Sequence, residues 1–359
     1  MNVEKTVNKD LEYIDIMKKH PAPVVIWGSE QGGIPANIGQ RLKEAGISKI
    51  LFAPGKQWYR GADNEILDFE VDKKLAEYYL CPGFYQSYLI SDTEIKSKFS
   101  HAIGIYRISD VWEGIPEKIC AEFFEKNQEA FEEVYKNLSD DKSRKSMCAF
   151  LNAKINRNYE YLVPHVAPLQ YFCGHDTWFP IDDNEYFVNC GAYNGDTIES
   201  YAKTTGGRWG KVWAIEPEYH NILAINKLLK ENAYNNVEIV PCGVFSEKQF
   251  LRFGGGILDL FRANDNGDHR IPVDTIDNIV NENKVTLINM DVEGSELAAL
   301  HGANKTIRRN KPKLAISAYH KKDDIFELYR YIKELVPEYR FYFRIHKHLP
   351  TDAILYAIA

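Results

Sequence analysis

The chain has no apolar run near the roughly 20 residues that a membrane-spanning helix needs. It also has no CxxC pair, no internal repeat and no low-complexity tract. Each absence removes a class of protein. A helical membrane protein is not expected. The six cysteines (Cys81, Cys120, Cys148, Cys173, Cys190 and Cys242) are scattered. A zinc ribbon or redox pair needs close spacing, so buried free thiols in a reducing compartment are expected instead. Positive charge is not in surplus either. The 44 Lys and Arg stand against 51 Asp and Glu, a net of −7, which argues against a broad nucleic-acid or anionic-membrane surface. The opening MNVEKTVNKDLEY is charged, with no apolar segment of signal-peptide type. The expectation is a soluble cytoplasmic protein with neither a nucleic-acid nor a membrane partner; a homo-oligomer is left open.

What is present suits a large α/β protein. At 359 residues two domains are the natural division. The 22 Tyr and 18 Phe promise large cores or a stacking surface. Residues 1–20 read as a short helix ended by Pro21 and Pro23. Val24–Trp27, a glycine turn from Gly28 to Gly33, a helix and the strand Lys49–Ala53 then form one β-α-β unit. Residues 57–115 hold short apolar runs without recognisable chemistry. Lys118–Leu138 reads as one amphipathic helix and Lys142–Ile155 as another, covering the first unit or bridging the halves. Pro164, Pro168, Gly174 and Pro180 mark a boundary. The division is therefore 1–180, a Rossmann-like and helical domain, and 181–359.

The second part is organised around Tyr186–Thr197, YFVNCGAYNGDT. A short buried strand runs into Gly191, Ala192 and Gly195, and Asp196-Thr197-Ile198-Glu199 opens a helix. Asp196 is expected as N-cap with Glu199 as its capping-box partner. The glycines let backbone approach a ligand, and free N–H groups at the helix start favour a carboxylate or phosphate. Strands and helices then alternate to a closing antiparallel hairpin, Tyr339–Ile345 with Ala353–Ile358. The fold class is α/β, a doubly wound sheet with an antiparallel edge.

In such a sheet ligands bind at the carboxyl ends of the strands. Candidate functional residues stand at those ends: Gly191, Glu216, Gly243, Asp291, Glu293 and His320. Glu216 follows Val212-Trp213-Ala214-Ile215 and lies beyond Gly191 by near the roughly 20 residues of a nucleoside-binding unit. Its carboxylate can accept two hydrogen bonds from a ribose diol.

FVNCGAYNGDT, AIEPEYHN, INMDVEGSELAALHGA and LAISAYHKKDD resemble, in that order, the motifs of FkbM-type methyltransferases. The resemblance covers about residues 184–359, and the WGSEQGG turn and Leu138–Arg144 are similar to an N-terminal extension in part of that family. It implies a class I methyltransferase fold, S-adenosylmethionine as cofactor, and O-methylation of a small-molecule or glycan acceptor. By position, Gly191, Ala192 and Gly195, with Asn189, Tyr193, Asp196 and Thr197 around them, would wrap the methionine end. Glu216 would hold the ribose, Cys242 and Gly243 would lie beside the adenine, and Asp291 and Glu293 would face the methyl. The family usually has Asp at Asn189 and often Lys at Asn289.

For catalysis the sequence offers Asp291, Glu293 and His320. A base at the acceptor hydroxyl would contribute a factor of roughly 10²–10⁴. His320, with a reference pKa of about 6.5, or Asp291 is expected as the base, with Glu293 as partner or substrate clamp. The same three residues permit a divalent metal without requiring one. Arg344, His346 and His348 share a face of the closing hairpin, as acceptor-pocket lining or its polar face; His301 is expected to be structural. Two rivals remain. One is a nicotinamide oxidoreductase using the Gly28–Gly33 turn, weakened because Ala53 is followed by no carboxylate. The other is a binding protein on a decayed methyltransferase fold, suggested by Asn189 and Asn289.

Overall fold

The computed structural model describes residues 1–3, 9–27, 33–53, 74–81, 92–106, 119–156, 159–172, 178–255, 261–263, 269–348 and 350–359. Residues 28–32 of the first glycine turn and Cys173 lie outside these. Among the described residues no helix is long and apolar enough to cross a membrane. The other five cysteines are free, with Cys120 exposed and Cys148 partly so.

The N-terminal unit is a parallel sheet. Helix α1 (Lys9–Lys19), β1 (Val24–Trp27), α2 (Gly33–Glu44), β2 (Ile50–Ala53), β3 (Tyr78–Cys81), α3 (Asp92–Lys98) and β4 (Ala102–Ile105) follow in turn. The order is β2-β1-β3-β4, with every pair parallel. Val24 and Ile26 face Met17, Ile38 and Leu42, whereas Val25 and Trp27 face Ile95 and Phe99. Alternation with both faces apolar is what a buried parallel strand demands. β3 and β4 come from the stretch where sequence showed only short apolar runs.

Three helices follow: α4 (Ala121–Lys126), α5 (Gln128–Asn137) and α6 (Asp141–Asn156). The expected single helix over 118–138 is broken at Asn127, whose Nδ2 donates to Phe123 O at 2.9 Å. A side chain that bonds locally into the ladder competes with the next helical turn. These helices cover the C-terminal sheet rather than the first unit. Phe131 packs edge-on to Phe326 and Phe150 to Phe343, within a core that draws in residues from Ile119 onward.

The C-terminal part runs β5 (Tyr186–Cys190), α7 (Asp196–Thr205), β6 (Lys211–Ile215), α8 (Tyr219–Glu231), β7 (Val237–Val240), β8 (Gly243–Val244), β9 (Gln249–Gly255), β10 (Phe261–Ala263), β11 (His269–Asp274), α9 (Ile276–Val280), β12 (Leu287–Met290), α10 (Glu296–His301), α11 (Asn304–Asn310), β13 (Lys313–Ser317), α12 (Asp324–Leu335), β14 (Arg340–Ile345) and β15 (Ala353–Ile358). Strands β9, β10 and β11 join β8 in a separate small sheet, β10-β9-β11-β8. The main sheet has seven strands in the order β14-β15-β13-β12-β5-β6-β7, with β15 antiparallel to both neighbours. Phe187, Val212 and Leu287 face one core, under α7 and α8; Val188, Trp213 and Ile288 face the other. The chain moves outward from β5 through β6 and β7, then returns to place β12 on the other side of β5. That reversal opens a crevice at the carboxyl ends of β5 and β12.

Arg344 is a buried structural group rather than acceptor-pocket lining. It is 1% exposed, pairs with Asp140 Oδ2 at 2.7 Å and stacks over Trp178 at 4.6 Å. His301 lies against Tyr331, ring centroids 4.1 Å apart.

Candidate active site

The turn after β5 is shaped by how closely it meets β12. Gly191 has φ +77, and a β-carbon there would lie 2.0 Å from Asp291 O. A side chain is excluded twice, by conformation and by contact. The amides of this turn are engaged within the protein. Gly191 N and Ala192 N both donate to Ile215 O, and Gly195 N donates to Ala192 O. The N-cap of α7 is Gly195, φ +90, not Asp196. Asp196 is the first helical residue, and its Oδ1 accepts from Thr197 N at 2.8 Å. The expected free N–H cradle for an anion is therefore largely closed by the chain itself. What the turn secures is the close approach of its own backbone to Asp291, not open donors.

Glu216 ends β6, 5% exposed. Its Oε2 accepts from Tyr193 N at 2.8 Å, and its Oε1 accepts from Glu218 N at 2.9 Å and Asn221 Nδ2 at 3.2 Å. Burial raises its pKa against these bonds. Of about four acceptor positions on a carboxylate, three are filled and one, on Oε2, remains. The two-bond reach to a diol expected from the sequence would need Asn221 to yield its place. Tyr193, φ +45, stands half-exposed at the rim. Cys242 is buried after β7, its thiol pushed up to about 11 by burial, and Gly243 begins β8.

Asn189 and Asn289 are register partners across β5 and β12. Both are buried, and neither amide has a hydrogen-bond partner on oxygen or nitrogen. Buried polar groups are normally satisfied, and these two amides, side by side in the sheet, are exceptions.

Asp291, Glu293 and His320 come together as expected. His320, 3% exposed, has Nδ1 2.9 Å from Glu296 Oε1. Its Nε2 lies 3.5 Å from Asp291 Oδ1 and 3.6 Å from Glu293 Oε2. Burial opposes a charge on the ring, but the surrounding carboxylates, Glu296 foremost, raise it to about 10. That direction favours the imidazolium at neutral pH and counts against His320 in the role of base that its reference pKa suggested. Glu293 takes a left-handed backbone, φ 54, a conformation that residues with a β-carbon adopt at a cost. Asp291, Glu296 and His320 have the residue types of a metal site, with ligand atoms within 4.8 Å of one another. The ring, however, turns Nδ1 to Glu296 and Nε2 to Asp291, so it bridges the carboxylates on opposite edges.

Three contributors escaped the sequence reading. Glu296, fully buried, accepts from Val292 N at 2.9 Å and leaves Oε2 without a partner. Tyr319 donates to Asp291 at 3.1 Å, and Tyr171 donates to Asp291 Oδ2 at 2.9 Å. Glu296 and Tyr319 lie inside quoted motifs, one three residues past Glu293 and one beside His320. Tyr171 carries no local signal. Burial raises the Asp291 carboxyl, against the pull of His320. Burial and the Asp291 charge keep both phenols protonated. Asp324, whose Oδ2 accepts from Lys321 N at 2.6 Å, is pushed up to about 7 by burial and by Glu296.

No curated protein matches the sequence. Among solved structures, the methyltransferase FkbM of Methylobacillus flagellatus KT shares 23% identity, with 98% of this chain and 94% of that one covered at a TM-score of 0.68. An rRNA methylase of Streptococcus thermophilus (17% identity, 50% of this chain, 87% of that chain, TM-score 0.33) is a more distant likeness. So is a precorrin-6y C5,15-methyltransferase of Geobacter metallireducens GS-15 (10%, 50%, 84%, TM-score 0.33). Residues 189–343 match the family described as the methyltransferase FkbM domain. That span holds Asn189, Gly191, Glu216, Asp291, Glu293 and His320, so the strand-end residues of the crevice all lie within the stretch that is similar to this family.

Proposed function

We propose that the protein is an S-adenosylmethionine-dependent O-methyltransferase acting on a hydroxyl of a sugar, glycan or related small molecule. The observation that carries this is the convergence, at one crevice, of a glycine turn that excludes a side chain at Gly191, the buried acceptor Glu216 and the carboxylate Asp291. The residues fit the cofactor. The unpartnered amides of Asn189 and Asn289 lie on the β5 and β12 side of that crevice, and the open Oε2 position of Glu216 suits one ribose hydroxyl. Asn189, Gly191, Ala192, Tyr193 and Glu216 would hold it, with Cys242 and Gly243 toward the adenine. When bound, its sulfonium supplies an electrophilic methyl.

The protein must then orient a hydroxyl and accept its proton. Asp291 is the proton acceptor. Its pKa is raised by burial, which brings it nearer the working pH, and phenols on both oxygens fix its plane. His320 stays charged and steadies Asp291 and Glu293 as neighbouring anions, 3.5 and 3.6 Å from its Nε2. Glu293, 30% exposed, is placed to accept a second hydroxyl of a polyol.

Calorimetry with S-adenosylhomocysteine and, in parallel, NAD is the direct test. Binding of S-adenosylhomocysteine, lost in Glu216→Ala, is expected; binding of NAD alone rejects the reading. Mass spectrometry of sugar and glycan acceptors incubated with labelled methyl donor then tests the acceptor class. Tight cofactor binding with no labelled product from any hydroxyl acceptor favours a binding protein.

A further inference from the structure

Asp291 is held by a residue that lies outside the matched span. Residues 166–172 run as a strap along the closing hairpin. Ala167 N donates to Ile345 O at 2.7 Å, and Gln170 Nε2 donates to Asp352 Oδ1 at 2.8 Å. His346 lies 2.9 Å from Ala167 O through Nδ1 and 2.8 Å from Tyr356 Oη through Nε2. Burial pushes His346 down to about 4, so the ring is neutral: Nδ1–H donates to the carbonyl and Nε2 accepts from the phenol. Tyr356 Oη in turn accepts from Tyr171 N at 3.1 Å.

This bonding holds an unfavourable backbone. Leu169 has φ 58 and Tyr171 has φ 64, both left-handed in residues with a β-carbon. Such conformations persist where the surroundings over-determine them, and they cluster at functional sites. Here the outcome is a single side-chain placement, the Tyr171 hydroxyl on Asp291 Oδ2 at 2.9 Å. Tyr319 approaches the same carboxylate at 3.1 and 3.4 Å. Alone it spans both oxygens loosely; with Tyr171 the plane of the carboxylate is set.

We propose that Tyr171 is a positioning residue of the active site: through the strap its phenol orients the Asp291 carboxylate and favours its ionised form. The contact stands on geometry, whereas its consequence for methyl transfer rests on the function proposed above. The site is then incomplete without a segment that precedes β5, and residues 166–172 belong to it as much as the strand ends do.

The test needs no known acceptor. Carbon-13 carboxyl-labelled aspartate in the full chain, with Asp291 assigned by Asp291→Asn, reports its titration directly. In Tyr171→Phe the Asp291 titration should move up by about one pH unit, the effect of losing one hydrogen bond to a charged acceptor. Tyr339→Phe, which removes a buried phenol bonded to Pro312 O, should leave it in place. Tyr356→Phe, which frees the Tyr171 amide and loosens the strap, should move it in the same direction and serves if Tyr171→Phe does not fold. An unmoved Asp291 titration in a folded strap variant overturns the proposal. Failure of the wild-type protein to bind S-adenosylhomocysteine overturns the functional reading separately, because the titration is read without cofactor.

Discussion

His320 Nδ1 and Glu296 Oε1 stand 2.9 Å apart, with side chains 3% and 0% exposed. The opposite edge of the ring faces Asp291 and Glu293, and Asp324, held by the Lys321 amide, adds a further carboxyl nearby. A buried carboxylate cluster of this kind needs a cation, and the imidazolium supplies it. The stability it gives depends on pH in a definite sense. The folded pKa, about 10, lies above the ordinary histidine value of 6.5. The contribution is therefore fully present below pH 6.5 and lost as pH rises through about 10. Glu296→Gln should cost about 3 kcal/mol near neutrality, where a buried pair is broken. Urea melts of wild type and variant from pH 6 to 10 should show that gap closing as pH rises. A constant gap would mean that the pair carries no charge.

The contact between Gly191 and Asp291 O predicts an asymmetry between two glycines of one turn. A β-carbon at 191 would meet backbone at 2.0 Å, whereas one at Gly195 would meet Leu228 Cδ2, the end of a side chain, at 2.6 Å. Both positions have left-handed φ, but only the second neighbour can swing aside. Gly191→Ala should destabilise by about 3 kcal/mol or more, in the range of overpacking plus backbone strain. Gly195→Ala should cost about half as much. Thermal unfolding gives the order, and equal losses would remove the close approach as the reason for Gly191.

How far this site was legible depends on the reach of each signal. Glu216, Asp291, Glu293 and His320 stand just past short apolar runs, and a parallel sheet brings such positions to one rim wherever the helices lie. The charge state of His320 was not legible, because it depends on three carboxylates whose approach is set by tertiary packing. Asp196 had the sequence of an N-cap, but Gly195 with its left-handed φ took that place and turned the carboxylate onto its own helix. Tyr171 was hidden for a plainer reason. Its partner is 120 residues away, and nothing in a stretch rich in proline and glycine announces a phenol aimed at a carboxylate. Strands Tyr78–Cys81 and Ala102–Ile105 are four residues each, too short for periodicity to tell strand from buried helix.

Glu216 links the glycine turn to the next strand, and its ionisation should govern cofactor binding. Burial raises its pKa above the ordinary glutamate range. The ionised form accepts from Tyr193, Glu218 and Asn221 and has one position left for a hydroxyl. As pH falls through the raised value the carboxyl gains a proton and loses acceptor capacity. Affinity for S-adenosylhomocysteine should therefore begin to fall at a pH above that of an exposed glutamate. Glu216→Gln should lower affinity by at least about tenfold at neutral pH, because an amide must turn a donor toward a backbone N–H. Calorimetry across pH reads both effects, and an affinity that is flat into the acid range would take Glu216 out of the site.

The Asp140–Arg344 pair ties the start of α6 to β14 and is unequally buried. The guanidinium is 1% exposed and the carboxylate 34%, and Arg344 Nη1 also donates to Ser143 Oγ and Phe343 O. Asp140→Asn strands a buried cation, so it should cost about 2 kcal/mol, less than for a fully buried pair because water reaches one partner. The loss should persist at high salt, since ions screen buried charges poorly. The Glu133–Arg330 pair, 2.7 Å but 43% and 46% exposed, provides the contrast. Glu133→Gln should cost about 0.5 kcal/mol or less, and that small effect should vanish at high salt. Urea melts of both variants at low and high sodium chloride decide the matter. If Asp140→Asn loses its effect with salt, the Arg344 charge is hydrated, and the link between α6 and the closing hairpin rests on Ser143 Oγ, which accepts from Phe343 N and Arg344 Nη1.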